Sequence, residues 1–365
     1  MKGECFKENF ERAVRNASRV TSKNPSLPVL ACVLLEAKKG VVVVRATNID
    51  VAYEASIPAR IEKDGAVAVS GVALSTFLSG ISAQNVSFHG AQGGMSVNGG
   101  NARAVLKIFP HDDFPKFTQP KDSPNNIPVA LLASGLKSVL YSAPQSSVRQ
   151  ELSSVYIFSE GNGVVFAATD SFRLAEKHVF PQKNISIHPT LLPAKNAAEL
   201  LRIVSEIENE SCSIASDAGQ FTMKSDGTVF TSRIVDGSFP DYKQIIPKEF
   251  TTTVTLLKDD FAKALQLASG LSEKSNQILI TVPASGDEIS LSVKNSEVGE
   301  GVSTLKSARS GEAIEMSFNA RYLIDVLGAI TESSMSLMFS GAGKPLLITG
   351  AGNSGFRYIV MPMNR

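Results

Sequence analysis

The segment Phe10-Glu11-Arg12-Ala13-Val14-Arg15-Asn16-Ala17 carries small and apolar side chains at i, i+3, i+4 and i+7, positions that share one face of an α-helix. The pattern returns at Leu74/Phe77/Leu78/Ile81, Leu136/Val139/Leu140/Ala143 and Ala197/Leu200/Leu201/Val204. It returns twice more, at Phe261/Ala264/Leu265/Ala268 and Leu323/Val326/Leu327/Ile330. Successive copies begin 64, 62, 61, 64 and 62 residues apart. One amphipathic helix is ordinary, but six at near-constant spacing mark an internally repeated architecture.

After each helical stretch the pattern turns strand-like. Val29–Glu36, Gly40–Ala46 and Val51–Ile57 follow the first; Asn85–His89, Gly94–Val97 and Ala102–Phe109 follow the second. Ser153–Phe158, Gly163–Thr169 and Leu174–Phe180 follow the third. These runs are rich in β-branched residues and are separated by Gly-, Asn- and Asp-containing turns. Other signals recur at twice the helix spacing. Ala46-Thr47-Asn48 matches Ala168-Thr169-Asp170 and, more faintly, Val293-Lys294-Asn295, while Phe114-Pro115 matches Phe239-Pro240. Linker-like composition follows at Gln119–Pro128 and Ile246–Thr253. The expectation is an α+β protein of three repeated domains, 1–121, 122–248 and 249–365, each with two helices on one side of antiparallel sheet.

Charge adds a direction to those helices. Arg12, Arg15 and Arg19 fall opposite the apolar face of the first helix, Lys195 and Arg202 opposite the fourth, Lys263 opposite the fifth and Arg321 opposite the sixth; Lys137 flanks the third. A single basic residue on a helix is a solvated charge. A repeated array can follow a polyanion along its backbone, and without interleaved aromatics it suits duplex contact rather than stacking on single strands. Net charge is silent on the point, because 36 basic residues face 35 acidic ones.

Catalytic chemistry has little to stand on. The four histidines are dispersed, and His111-Asp112-Asp113 between Pro110 and Pro115 reads as a turn rather than a metal site. Gly94-Met95-Ser96-Val97-Asn98 misses the nucleophile-elbow spacing, and Gly341-Ala342-Gly343-Lys344-Pro345 lacks the Ser/Thr of a phosphate loop. Asp259-Asp260 stands at a helix start, where carboxylates suit the dipole. Cys5, Cys32 and Cys212 form no paired motif and fit a reducing compartment. With no signal peptide and no apolar run near ~20 residues, the chain is expected to be cytoplasmic, free of membrane and cofactor, and not an enzyme.

Four stretches identify a family. Asn24-Pro25-Ser26-Leu27-Pro28-Val29-Leu30, Ala168-Thr169-Asp170-Ser171-Phe172-Arg173-Leu174-Ala175, Val235-Asp236-Gly237-Ser238-Phe239-Pro240-Asp241-Tyr242 and Tyr358-Ile359-Val360-Met361-Pro362-Met363-Asn364-Arg365 resemble the bacterial sliding clamp, the β subunit of DNA polymerase III, in order and over the whole length. The resemblance implies a head-to-tail homodimer closing a ring of six domains around double-stranded DNA, without sequence reading and with helices lining the hole. It implies dimer contacts near Ala104 and Leu106 on one side and Leu267 and Leu271 on the other, and places Lys23, Asn24, Arg149 and Lys195 near DNA.

It also implies a pocket for short linear peptides from the polymerase III alpha subunit, the clamp-loader delta subunit, and other polymerases and repair proteins. Carried over residue by residue, the pocket comprises Arg149, Leu152, Thr169, Ser171, Phe172, Arg173, Leu174, Pro240, Ile245, Asn319, Tyr322, Pro345, Ile359, Met361, Pro362 and Met363. Ser171, Phe172, Gln244 and Asn24 depart from the commoner Gly, His, Arg and basic residue at those places. Apolar anchors worth ~1.5–3 kcal/mol each, less ordering cost, point to roughly micromolar peptide binding. The competing reading is a repeat scaffold that assembles protein partners without encircling DNA.

Overall fold

The computed structural model describes residues 1–22, 27–91, 93–115, 124–144, 146–273, 275–353 and 355–363. Lys23 and Asn24, Lys116 and Phe117, most of the first linker and the terminal Asn364 and Arg365 lie outside the described residues. Among those described, every expected helix is present: α1 (Lys7–Val20), α2 (Gly71–Gly80), α3 (Val129–Val139), α4 (Ala194–Val204), α5 (Lys258–Leu271) and α6 (Ala320–Leu327). Each is entered directly from a strand, from Lys2–Phe6 before α1 to Ile314–Asn319 before α6.

The recurring apolar positions are core positions. Phe10, Val14, Ala17, Leu74, Leu78, Leu136, Val139, Ala197, Leu200, Phe261, Leu265, Leu323 and Val326 are all fully buried. Phe77, Leu140, Leu201 and Leu327 are only half-buried. The third copy of the pattern overruns its helix, because Leu140–Ser142 tightens into a 3-10 turn and Ala143 lies beyond it. Gly135 lets α3 lie flat on the sheet, since a Cβ there would run into the ring of Phe166. Two strand expectations are corrected. Pro28–Ala31 forms a 3-10 turn, so the strand begins at Cys32; and the Ala102–Phe109 run divides at Lys107 into Ala102–Leu106 and Ile108–Phe109, which pair with Gly94–Gly99 and Gly65–Ser70 respectively.

Two compact units are present, Met1–Ala130 with Glu199–Ile234, and Leu131–Ala198 with Val235–Arg365. They cut across the sequence repeat, and the reason is strand pairing. In the first unit the Thr228–Arg233 strand, which closes the second repeat, pairs antiparallel with residues 51–55 of the Val51–Lys63 strand, Phe230 opposite Tyr53. This joins 13 strands into one sheet. In the second unit the Phe356–Val360 strand, which closes the third repeat, pairs with the Arg173–Val179 strand, Tyr358 opposite Ala175, within a 12-stranded sheet. The second and third repeats therefore each give their last strand to the sheet of the repeat before.

The recurring Thr-Asn/Asp signature is one turn built twice. Thr47 Oγ1 donates to the Val51 carbonyl (2.8 Å) and accepts from Ile49 N–H (2.9 Å), while Asn48 Oδ1 accepts from Asp50 and Val51 N–H. Thr169 and Asp170 make the same four bonds with Arg173, Ser171 and Phe172. Both turns force a non-glycine residue to positive φ, Ile49 at 82° and Ser171 at 77°. Asn295 repeats the Asx half of the arrangement, accepting from Glu297 and Val298 N–H.

Candidate functional site

In the second unit this turn opens onto an apolar cavity of about 150 Å³. Ten of the expected pocket residues line it: Leu152, Thr169, Ser171, Phe172, Arg173, Leu174, Pro240, Ile245, Ile359 and Met361. Leu174 and Ile359 are cross-strand partners and form the floor. Met361 is fixed by its N–H donating to the Phe172 carbonyl at 2.8 Å, and its side chain stays 38% exposed. Phe172 is displayed at the mouth, 62% exposed. At the matching junction of the first unit the corresponding cross-strand pair is Ala52 and Thr231. The same backbone frame there carries a methyl and a hydroxyl where the second unit offers two aliphatic anchors.

Asp241 and Tyr242 also line the cavity and were not singled out from sequence. The signal available is Phe239-Pro240-Asp241-Tyr242, where the proline starts a turn that leaves Asp241 exposed and buries Tyr242. Six expected pocket residues do not line the cavity. Asn319 caps α6 through Oδ1 to Arg321 N–H. Met363 pairs with Ser317 through its N–H. Arg149 is exposed in the preceding turn, and Pro345 and Pro362 are half-buried.

Tyr322 stands under Arg173, whose guanidinium lies 4.4 Å from its ring centroid. Arg173 is the electrostatic centre of this wall. It donates to Asp170 Oδ2 (2.9 Å) and Asp325 Oδ2 (2.5 Å). Burial opposes its charge, but the Asp325 bond and the Asp170 field outweigh that and raise its pKa.

The basic helix faces divide into two groups. Arg19, Lys137, Lys195, Lys263 and Arg321 are exposed, as is Arg149. Arg12, Arg15 and Arg202 are instead drawn into the first unit's carboxylates. Arg12 pairs with Glu208 (3.3 Å) and Arg15 with Glu206 (3.2 Å). Arg202 pairs with Glu199 (2.8 Å) and donates to Asn16 Oδ1 (2.5 Å). Much of their charge is therefore spent within the fold. The acidic residues past α4 belong to no repeated signal, so sequence periodicity could not reveal this.

Among the sheet edges left unpaired in the described residues, two fall at the expected dimer contacts. Ala102–Leu106 ends the order of the first unit's sheet, with Ala104 and Leu106 half-buried and Val105 60% exposed between them. In the second unit the Gly299–Gly311 strand pairs with Glu288–Asn295 along residues 299–306, and its other edge there has no partner. Beside that edge lies a groove of about 760 Å³ between the strand and α5, bordered by Leu267, which is 66% exposed. Leu271 sits over Gly301, close enough that a Cβ there would meet its Cδ1 at 2.7 Å.

Other chemistry is sparse. Burial pushes the Cys5 and Cys212 thiols up to about 12, leaving almost no thiolate at neutral pH. His111–Phe114 is a turn closed by Phe114 N–H on the His111 carbonyl. No helix among the described residues is long and apolar enough to cross a membrane.

Comparison with known proteins gives a consistent result. Models of the N-terminal, central and C-terminal domains of the DNA polymerase III beta subunit match residues 1–118, 126–241 and 243–364. The beta sliding clamp of Synechocystis sp. is 27% identical over 100% of this chain and 99% of its own length. That of Haemophilus influenzae is 26% identical, with both chains covered in full. A crystal structure of the DNA polymerase III beta subunit from Thermotoga maritima superposes with a TM-score of 0.94 at 22% identity, covering 100% of this chain and 99% of that one. A beta sliding clamp from C. crescentus superposes at 0.91 with 26% identity, covering 100% and 99%.

Proposed function

Because the chain belongs to the DNA polymerase III beta subunit family, the beta sliding clamps, we propose that two copies close head to tail into a ring of six domains around duplex DNA. The domains of each copy are 1–121, 122–248 and 249–365. The ring is a non-enzymatic processivity factor. It tethers the polymerase III alpha subunit, the clamp-loader delta subunit and other replication and repair proteins through the pocket around Leu174 and Ile359. One observation supports the ring above others. Two junctions within the chain are made by strand hand-over, and two of its unpaired edges, Ala102–Leu106 and residues 299–306, would serve as donor and acceptor of a third junction of the same kind. A heterologous contact of this sort leaves no free end once it closes.

Topology then supplies processivity, and the backbone contacts can stay weak enough to slide. The ring is expected to be retained on nicked circular duplex DNA and to leave when that DNA is linearised, measured by gel filtration of the loaded complex. Equal release from both forms would support the scaffold reading instead.

The DNA-facing role falls to the exposed cations, Arg19, Lys137, Arg149, Lys195, Lys263 and Arg321, together with Lys23 and Asn24, which lie outside the described residues. Arg12, Arg15 and Arg202 contribute less, being held by Glu199, Glu206 and Glu208. A Glu206→Gln/Glu208→Gln double variant frees Arg12 and Arg15 for phosphate. It is expected to tighten duplex binding about three- to tenfold at low salt and to steepen the log–log salt slope by about 1–2. Fluorescence anisotropy across a salt series reads both quantities, and an unchanged slope would contradict the assignment.

A further inference from the structure

We propose that Glu176 is a positioning residue of the peptide pocket, holding Tyr242 in place without itself touching the peptide; the inference rests on the peptide-binding reading above. Glu176 lies two residues beyond Leu174 on the Arg173–Val179 strand, so both side chains project from the same face. It is 1% exposed. Its Oε2 accepts the Tyr242 hydroxyl at 2.6 Å. Its Oε1 lies 3.2 Å from His178 Nε2 and accepts from Arg357 Nη1 at 3.5 Å. Arg357 stands directly opposite it in the strand register. One carboxylate thus joins three walls of the pocket: the strand bearing Leu174, the strand bearing Ile359, and the Tyr242–Ile245 turn that closes over them.

The Tyr242 ring is buried in an apolar cluster with Leu174, Leu347 and Ile359, while the turn that carries it runs between two cavities. One side borders the peptide cavity. The other borders a second cavity of about 530 Å³, lined by Ile246, Pro247, Phe250, Met338 and Leu347 among others. Phe239 meets the Tyr242 ring edge-on at 5.8 Å and stacks on Tyr156 at 5.0 Å, which fixes the ring laterally. The bond to Glu176 sets its depth.

The chemistry of the pair suits a permanent bond. Burial disfavours the Glu176 charge, but hydrogen bonds from His178 and Tyr242 hold its pKa below the ordinary carboxylate range. Burial, and then the Glu176 carboxylate, raise the pKa of Tyr242, so the phenol keeps its proton and remains the donor. Hydrogen bonds to an ionised acceptor are the stronger kind.

The test titrates a fluorescein-labelled peptide carrying the clamp-binding segment of the polymerase III alpha subunit into the wild-type protein and the variants E176A, E176Q, Y242F and E176A/Y242F. E176A is expected to weaken binding about tenfold, as loss of one charge-assisted bond at a wall of the site. E176Q is expected to stay within about twofold, because its carbonyl still accepts from Tyr242 while its amide can donate to His178. Y242F should match E176A, and the double variant should be no worse than either single change.

Unchanged affinity in E176A, or losses that add in the double variant, would overturn the proposal. If E176A does not fold, Y242F carries the test, since it keeps the ring and loses only the hydroxyl; unchanged affinity there has the same force. Failure of the wild-type protein to bind the peptide is a different result, and it removes the pocket reading itself.

Discussion

For the dimer proposed above, an Ala104→Asp variant is expected to sediment as a monomer at concentrations where the parent chain associates. The register of the two internal hand-overs gives the reason. Phe230 sits opposite Tyr53 in one and Tyr358 opposite Ala175 in the other. Ala104 pairs with Val97 as Phe230 pairs with Met223, and Gly301 pairs with Val293 as Tyr53 pairs with Ala46. Carried to the third junction, this register sets Ala104 opposite Gly301 of a second copy, Val105 opposite Glu300 and Arg103 opposite Val302.

A carboxylate at position 104 would lose its hydration between the two strands. Its desolvation costs about 3 kcal/mol or more, which weakens association by about 100-fold or more. Sedimentation velocity reads the oligomer, and retention on circular DNA should vanish with it. Peptide affinity should be unchanged, because the pocket is built within the other compact unit. A variant that stays dimeric would place the seam elsewhere.

Removal of residues 361–365 is expected to weaken peptide binding about 10- to 100-fold while leaving the dimer intact. Met361 supplies a partly exposed apolar wall of the cavity and its N–H anchors the Phe172 carbonyl. Burying one such side chain against a ligand is worth about 1.5–3 kcal/mol. The Met363 bond to Ser317 is lost as well, but neither residue borders the unpaired edges. Fluorescence anisotropy with the alpha-subunit peptide measures the loss, and sedimentation confirms the oligomer. Undiminished peptide affinity would show that the cavity at Leu174 is not the docking site.

Much of this arrangement is legible in the sequence. The six helices could be read because their burial is periodic and local, so Phe10 and Val14 announce the same face that Phe261 and Leu265 do. The Thr47-Asn48 and Thr169-Asp170 turns could be read because short polar side chains close their own backbone. Strand hand-over could not be read, since pairing of residues 51–55 with 228–232 depends on register between distant segments of similar composition. The same limit hid Glu206 and Glu208, whose partners on α1 lie nearly 200 residues away in sequence, and Tyr242, whose role depends on a carboxylate 66 residues earlier.

Strand hand-over also bears on how the ring proposed above would open. Its two seams would be identical by symmetry, each joining the same donor edge to the same acceptor edge. When one parts, the other still tethers the separated edges within reach of each other, at an effective concentration fixed by geometry rather than by how much protein is present. Reclosure is then a first-order event that dilution does not slow. Complete dissociation, by contrast, requires both seams to fail before either reseals. A loading factor therefore has only to pry apart one seam and keep it from resealing, and the lifetime of the ring on DNA becomes a measure of that single seam.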